Sequence, residues 1–247
     1  MKRYYIHLGP IILIITWFIV AKLQLIDPFL LPGPFKTFNK LLELTSSGVI
    51  LDDLVATTER VFWSLLIAMA VGWPTGLALG SSKKIYESVE FIIDFFRSVP
   101  STALFPLFIL IFGVTDASKI AVAAFAAVLI IVFNTAYGVI NASNTRSEMA
   151  KLMGASKFQV FTDIIFWESL PQTFIGLRNA TSLGLVIIIV AEMFIGTSAG
   201  LGRAIIDAQT TYNIATMYSA IILSGMLGFF LNWILVKAEK NIVHWKN

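Results

Sequence analysis

Long apolar runs separated by short polar stretches set the pattern of this chain. About twenty helical residues cross a bilayer core of roughly 30 Å, and six runs approach that length. They are Leu8–Ala21, extended by Leu23–Ile26 past a Lys22 whose ammonium can reach the headgroups; Val61–Ser82; Phe91–Val114, with Asp94 and Arg97 near its start; Ile120–Asn141; Thr173–Ile195; and Ala215–Val236. The first run follows Met-Lys-Arg as a secretory signal would. No A-x-A site follows it, however, and Lys22-Leu23-Gln24 is a poor cleavage context, so a retained span is expected.

Between the first two spans, residues 27–60 read as a connector. Leu31-Pro32-Gly33-Pro34 predicts a rigid turn with Pro34 opening a helix on which Phe35, Phe38, Leu41 and Leu42 share a face, opposite Lys36, Lys40 and Glu43. Ser46-Ser47-Gly48 stops it, and Asp52 and Asp53 precede the return to the membrane. This helix either lies on the outer leaflet or docks an external partner. In the second span Ala68, Gly72, Gly76 and Gly80 recur at intervals of four, a side almost without side chains that lets a neighbouring backbone approach. Pro74 falls within that stripe, and Pro100 and Pro106 within the third span, where neighbours or water must satisfy the freed carbonyls.

One polar element interrupts the apolar pattern, within residues 144–171. Glu148-Met149-Ala150-Lys151-Leu152-Met153 is strong helix-forming sequence that Gly154 ends. Ser156 then opens a second helix, with Gln159 completing a capping box and Ala155 facing Val160. Phe158, Phe161, Ile164 and Ile165 are expected on one face, and Pro171 is expected to end the run.

Composition changes the picture by fixing the class. With 57% hydrophobic and 13% charged residues and a mean hydropathy of +0.82, the chain is expected to be an all-α, polytopic membrane protein of about six transmembrane helices. The net charge of +3 is spread through short loops, which suits bilayer orientation and argues against nucleic-acid binding. With the N-terminus inside, Lys2, Arg3, Lys83, Lys84, Arg146, Lys151, Lys157, Lys237, Lys240 and Lys246 face the cytoplasm. The outer loops then hold only Lys36, Lys40, Lys119 and Arg203, with Lys22 and Arg60 at outer span ends. Both termini and the polar hairpin are thus expected on the cytoplasmic side. The sequence has no cysteine, and His7 and His244 lie far apart, so thiolate, metal and histidine-base chemistry find no material; no G-x-x-x-x-G-K-[ST] is present either.

The hairpin resembles the "EAA" coupling motif of ABC-importer permeases through Glu148, Ala150, Gly154, Ala155, Leu170 and Pro171, with Met149 in place of the usual first Ala. Leu31-Pro32-x-Pro34, Phe96-Arg97-Ser98-Val99-Pro100, Phe112-Gly113, Gly176-Leu177-Arg178, Ala191-Glu192-Met193 and Gly200-Leu201-Gly202 resemble, in order, the subgroup that handles nitrate, sulfonates such as taurine, bicarbonate and thiamine-precursor pyrimidines. That subgroup often carries a second proline where this chain has Ser101. The resemblance covers nearly the whole chain. It implies a type I (MetI-like) permease, with residues 61–247 as a five-helix core, in a bacterial or archaeal plasma (inner) membrane. Implied partners are a cytoplasmic ABC ATPase in two copies, a second permease copy, an extracytoplasmic solute-binding protein and membrane lipid. The resemblance further implies that Glu148, Met149, Ala150, Lys151, Gly154, Ala155, Ser156, Phe158 and Phe161 couple to the ATPase. No cofactor is expected on this chain itself, ATP and Mg being used by the partner. Import of a small anion follows as the expected function, without a catalytic site; an ATPase-independent secondary transporter or channel is the alternative.

Charges and hydrogen-bonding groups within the spans are the candidates for a translocation path. These are Arg97, Ser98, Pro100, Asn134, Arg178, Thr181, Ser182 and Glu192. Glu192 either ties its span to neighbours or takes part in gating. Arg97 and Arg178 either attract an anion or anchor helices at the inner surface, and the hydroxyl and amide groups either bind an oxyanion or join helices.

Overall fold

The computed structural model describes residues 8–142 and 144–246. These form helices α1 (Leu8–Lys22), α2 (Pro34–Ser46), α3 (Leu51–Gly80), α4 (Lys83–Ser98), α5 (Phe105–Phe112), α6 (Asp116–Ile140), α7 (Asn144–Leu152), α8 (Lys157–Val160), α9 (Phe166–Phe194), α10 (Leu201–Thr210) and α11 (Ile214–Ile242), with no strand among the described residues. Four helical stretches are long and apolar enough to cross a membrane: α3, α6, the continuous run Lys157–Phe194 and α11. Apolar patterning therefore dictates the architecture, an all-α membrane bundle.

The third predicted span is not one straight helix. Residues from Lys83 to Phe112 form two helical arms bent by 85°, because Pro100 cannot continue α4 and the chain passes through a 3-10 turn at Ser101–Leu104 before α5. The first span is also shorter than its composition suggests. Helix α1 begins at the first described residue and ends at Lys22, so Leu23–Ile26 does not extend it; fifteen residues reach about 22 Å. Lys2, Arg3 and His7 lie outside the described residues. The second span begins ten residues earlier than the apolar run, at Leu51, since Asp52 and Asp53 sit in the first turn of α3, where the helix dipole favours them.

Helix α2 starts at Pro34 as the turn sequence predicts, but its buried face is Thr37, Leu41 and Leu44. Phe35, Phe38 and Leu42 are exposed. The reason is the neighbour: the Ser219 hydroxyl of α11 donates to the Thr37 carbonyl at 3.0 Å, which turns the small threonine inward.

The stripe of small residues does what its spacing requires. Ala68, Gly72, Gly76 and Gly80 are all buried. A Cβ on Gly72 would lie 3.1 Å from the Ile131 Cβ, one on Gly76 would lie 2.7 Å from the Thr135 Cβ, and one on Gly80 would lie 2.6 Å from the Val139 Cβ. The rising numbers on both sides show that α3 and α6 run parallel, backbone against backbone. On the other side of α6, a Cβ on Gly138 would lie 2.9 Å from the Ser169 carbonyl and one on Gly176 2.6 Å from the Asn134 Cβ, so α6 and α9 are antiparallel and equally close. Dispersion between such surfaces replaces the hydrophobic drive that lipid withholds. Pro171 does not end the fifth helical run; α9 continues through it to Phe194, and close contact with α6 overrides the local cost of the missing N–H.

Gly76→Ala is expected to destabilise the purified protein by about 1–3 kcal/mol through overpacking. Gly225→Ala, where an added Cβ meets nothing within 4 Å, should leave the thermal unfolding midpoint in detergent unchanged or slightly raised.

Candidate functional site

Two polar constructions stand at opposite ends of α6 and α9. One is the hairpin formed by α7 and α8. Its turn is a Schellman motif: the Ala155 N–H donates to the Ala150 carbonyl at 2.9 Å and the Gly154 N–H to the Lys151 carbonyl at 3.0 Å. This closure needs a left-handed residue, and Gly154 has φ +90. The Ser156 hydroxyl then accepts from the Gln159 N–H while the Ser156 N–H donates to the Gln159 Oε1, completing the predicted capping box. Each end of the turn is thereby fixed by local hydrogen bonds.

The hairpin presents apolar side chains to solvent. Leu152 is 88% exposed, Met153 87% and Phe158 75%, and Met149 is also exposed; Glu148, Lys151 and Ser156 surround them, with Ala150, Ala155 and Phe161 half-buried. After α8 the backbone makes a π turn over Phe161–Ile165, so the predicted common face of Phe158, Phe161, Ile164 and Ile165 is broken by the extra residue. The Arg146 guanidinium reaches Glu168 at 2.8 Å and ties the start of α7 to α9.

The other construction surrounds Arg60, at the start of α6 and the end of α9. Its five N–H groups are all used: Nε donates to Asp116 Oδ1 at 2.9 Å and Nη2 to Asp116 Oδ2 at 3.2 Å; Nη1 donates to Glu192 Oε1 at 2.6 Å and to the Ala199 carbonyl at 2.8 Å; Nη2 also donates to the Thr197 hydroxyl at 2.9 Å. Glu192 accepts further from the Thr57 hydroxyl at 2.9 Å and from the Gly202 N–H at 2.9 Å. Thr57 in turn accepts from the Leu201 N–H, and Asp53 from the Gly200 N–H. Lys119 adds a second cation, 3.2 Å from Asp116. Arg60 is 4% exposed and Glu192 1%. Gly200 is required here, since a Cβ on it would lie 2.5 Å from the Glu192 carboxyl carbon. The arrangement clamps the loop between α9 and α10 onto the start of α3.

The other intramembrane residues do not gather into one site. Asn134 accepts from the Gln172 side chain of α9 at 3.1 Å and donates to the Ile130 carbonyl. Arg178 pairs with Glu239 of α11 at 3.1 Å. Arg97 pairs with Asp94 at 3.2 Å and stands 4.1 Å over the Phe133 ring. Ser98 and Thr181 return their hydroxyl protons to their own helices, while Pro100 and Ser182 are exposed. Arg60 and Asp116 were absent from the sequence-derived site. Their signal was an arginine just before one apolar run and an aspartate just before another, and only the packing of α3 on α6 brings the two together.

Comparison with known proteins follows the same architecture. Residues 68–243 match the family described as the binding-protein-dependent transport system inner membrane component. The chain is similar to the taurine transport system permease protein of Escherichia coli, with 29% identity over 95% of this chain and 86% of that protein. It is also similar to the nitrate import permease protein of Synechocystis, with 30% identity over 77% and 69%, and to the formylaminopyrimidine transport permease protein of Halalkalibacterium halodurans, with 27% identity over 100% and 99%. A chain of the inward-facing MetNI methionine ABC transporter has the same fold, with a TM-score of 0.68 at 19% identity over 78% of this chain and 95% of that one.

Arg60→Met is expected to cost about 3–5 kcal/mol, because it leaves Glu192 charged and buried without its partner. Adding Glu192→Gln to that variant should recover part of the loss. A double-mutant cycle on thermal unfolding in detergent measures this coupling.

Proposed function

This chain belongs to the binding-protein-dependent transport system inner membrane components, the permease subunits of ABC importers, and from that membership we propose how its geometry serves import. The family works with an ATPase and a binding protein. In this reading the α7–α8 hairpin is the cytoplasmic end of the bundle and seats in a groove on an ABC ATPase, two copies of which serve two copies of the permease. The extracytoplasmic binding protein delivers solute to the opposite end, where Arg60 clamps the outer loop. The chain binds no nucleotide and performs no bond chemistry; ATP and Mg belong to the ATPase.

The observation that carries this reading is the exposed tip formed by Leu152, Met153 and Phe158. An uncovered apolar cluster of this kind, outside the membrane and held by a Schellman turn and a capping box, is built to be covered by protein. Force applied there is delivered to α9 through the Arg146–Glu168 contact and the helical run that begins at Lys157. Packed helices that switch between discrete arrangements turn that force into rigid-body motion. The solute is a small anion such as nitrate or a sulfonate, a reading supported by the taurine and nitrate transport for which two of the relatives are named. Both termini are cytoplasmic, in agreement with the excess of lysine and arginine on the hairpin side.

Gly154→Val places a β-branched residue at φ +90 and is expected to abolish solute-stimulated ATP hydrolysis and uptake while the chain still inserts. Met153→Asp should weaken copurification of the ATPase by about thirtyfold, as loss of an interface hot spot does. Undiminished uptake by both variants would refute the coupling role.

A further inference from the structure

Helix α1 is held loosely by the bundle. It has no buried residue and meets the rest of the chain through few contacts: the Trp17 Nε1–H donates to the Pro32 carbonyl at 3.1 Å, Trp17 stacks on Tyr218 with centroids 6.3 Å apart, and Phe18 meets Phe35 edge to face at 6.0 Å. Beside these contacts a groove of about 590 Å³ opens between α1, α2 and α11, walled by Ile14, Ile15, Phe18, Phe35, Phe38 and Ile222. No charged side chain lines it. A second hollow of about 360 Å³ adjoins it, sharing the walls of Phe18, Pro34 and Phe35. This one is lined by two lysines, Lys22 at the end of α1 and Lys36 in the first turn of α2.

We infer that the joined hollows hold one anionic glycerophospholipid, an acyl chain lying in the apolar groove and its phosphate between Lys22 and Lys36. The chain of reasoning is one of polarity and charge. An apolar slot on the flank of a membrane bundle is filled by hydrocarbon, and this slot shares Phe18, Pro34 and Phe35 with a hollow lined by two lysines and no acidic residue. Lys22 and Lys36 have no carboxylate partner within 4 Å among the described residues, whereas neighbouring Lys40 is occupied by Glu43 at 2.7 Å. The first turn of α2 likewise carries no acid. Lysines at the membrane surface favour anionic over zwitterionic lipid, and a fatty chain alone would leave these two lysines without a counter-charge. The bound lipid acts as packing material: it supplies the contacts that α1 does not make with α2 and α11.

The test uses the intact permease–ATPase complex purified in detergent with equimolar dioleoyl phosphatidylglycerol and dioleoyl phosphatidylcholine, with retained lipid counted by native mass spectrometry. One phosphatidylglycerol per permease chain is expected, preferred over phosphatidylcholine by roughly thirtyfold, the selectivity that two surface lysines supply. The double variant Lys22→Gln, Lys36→Gln should lose that preference and keep its fold, since both side chains are exposed. Glycerol phosphate, a headgroup without chains, should not displace the lipid. Equal retention of the two lipids, or a preference indifferent to the lysine changes, overturns the inference. Phe38→Cys gives a second readout in a chain that has no other cysteine: disulfide-linked permease dimers through that position would seat another copy in the groove and overturn it as well.

Discussion

The contact between α3 and α6 is the constraint on which the bundle rests. Lipid gives two apolar helices no reason to leave it for each other, so association depends on how closely their backbones can come. Gly72, Gly76 and Gly80 remove every side chain from one face of α3, and Ile131, Thr135 and Val139 occupy the space. Because the pairs advance together along both helices, one register holds over their whole shared length. The outward continuation of that register puts Arg60 beside Asp116 and Lys119, so the polar clamp follows from the glycine contact and is not independent of it.

That clamp is unusual in how completely it is satisfied. A guanidinium held at the flank of a bilayer is tolerable when each of its protons has an acceptor, and Arg60 reaches two carboxylates, a hydroxyl and a carbonyl. Glu192 in its turn gathers donors from α3 and from the first turn of α10. Three segments distant in sequence are joined at one place, at the end of the bundle opposite the exposed hairpin.

Much of this was legible in the sequence because the information was local. Intervals of four displayed the glycine face; Ser156 and Gln159 displayed a capping box; Gly154 after a strong helix former displayed a left-handed cap. Each of those signals lies within a few residues and needs no partner. The Arg60 clamp depends on residues 56 and 132 positions away, and nothing near Arg60 names them. The bend at Pro100 was readable only as irregularity, since a proline marks where a helix is weak and the neighbours decide by how much the arms diverge. At Pro171 the same residue type misled: contacts across α6 hold the helix together where local propensity would break it. On α2 the aromatic residues marked a face that stays exposed, whereas the side buried through Thr37, Leu41 and Leu44 depends on a neighbour, α11, that nothing local names.

The run from Lys157 to Phe194 is 38 residues long without a break, about 57 Å at the usual rise per residue. It starts at the hairpin and its last turns carry Glu192. One continuous helical run thus links Ser156 to the loop after α9, with Pro171 in its interior and a π turn at its foot. That turn is wider than an ordinary helical turn, and in the proposed coupling it stands between drive and rod as a compliant joint, able to absorb small misalignments at the base.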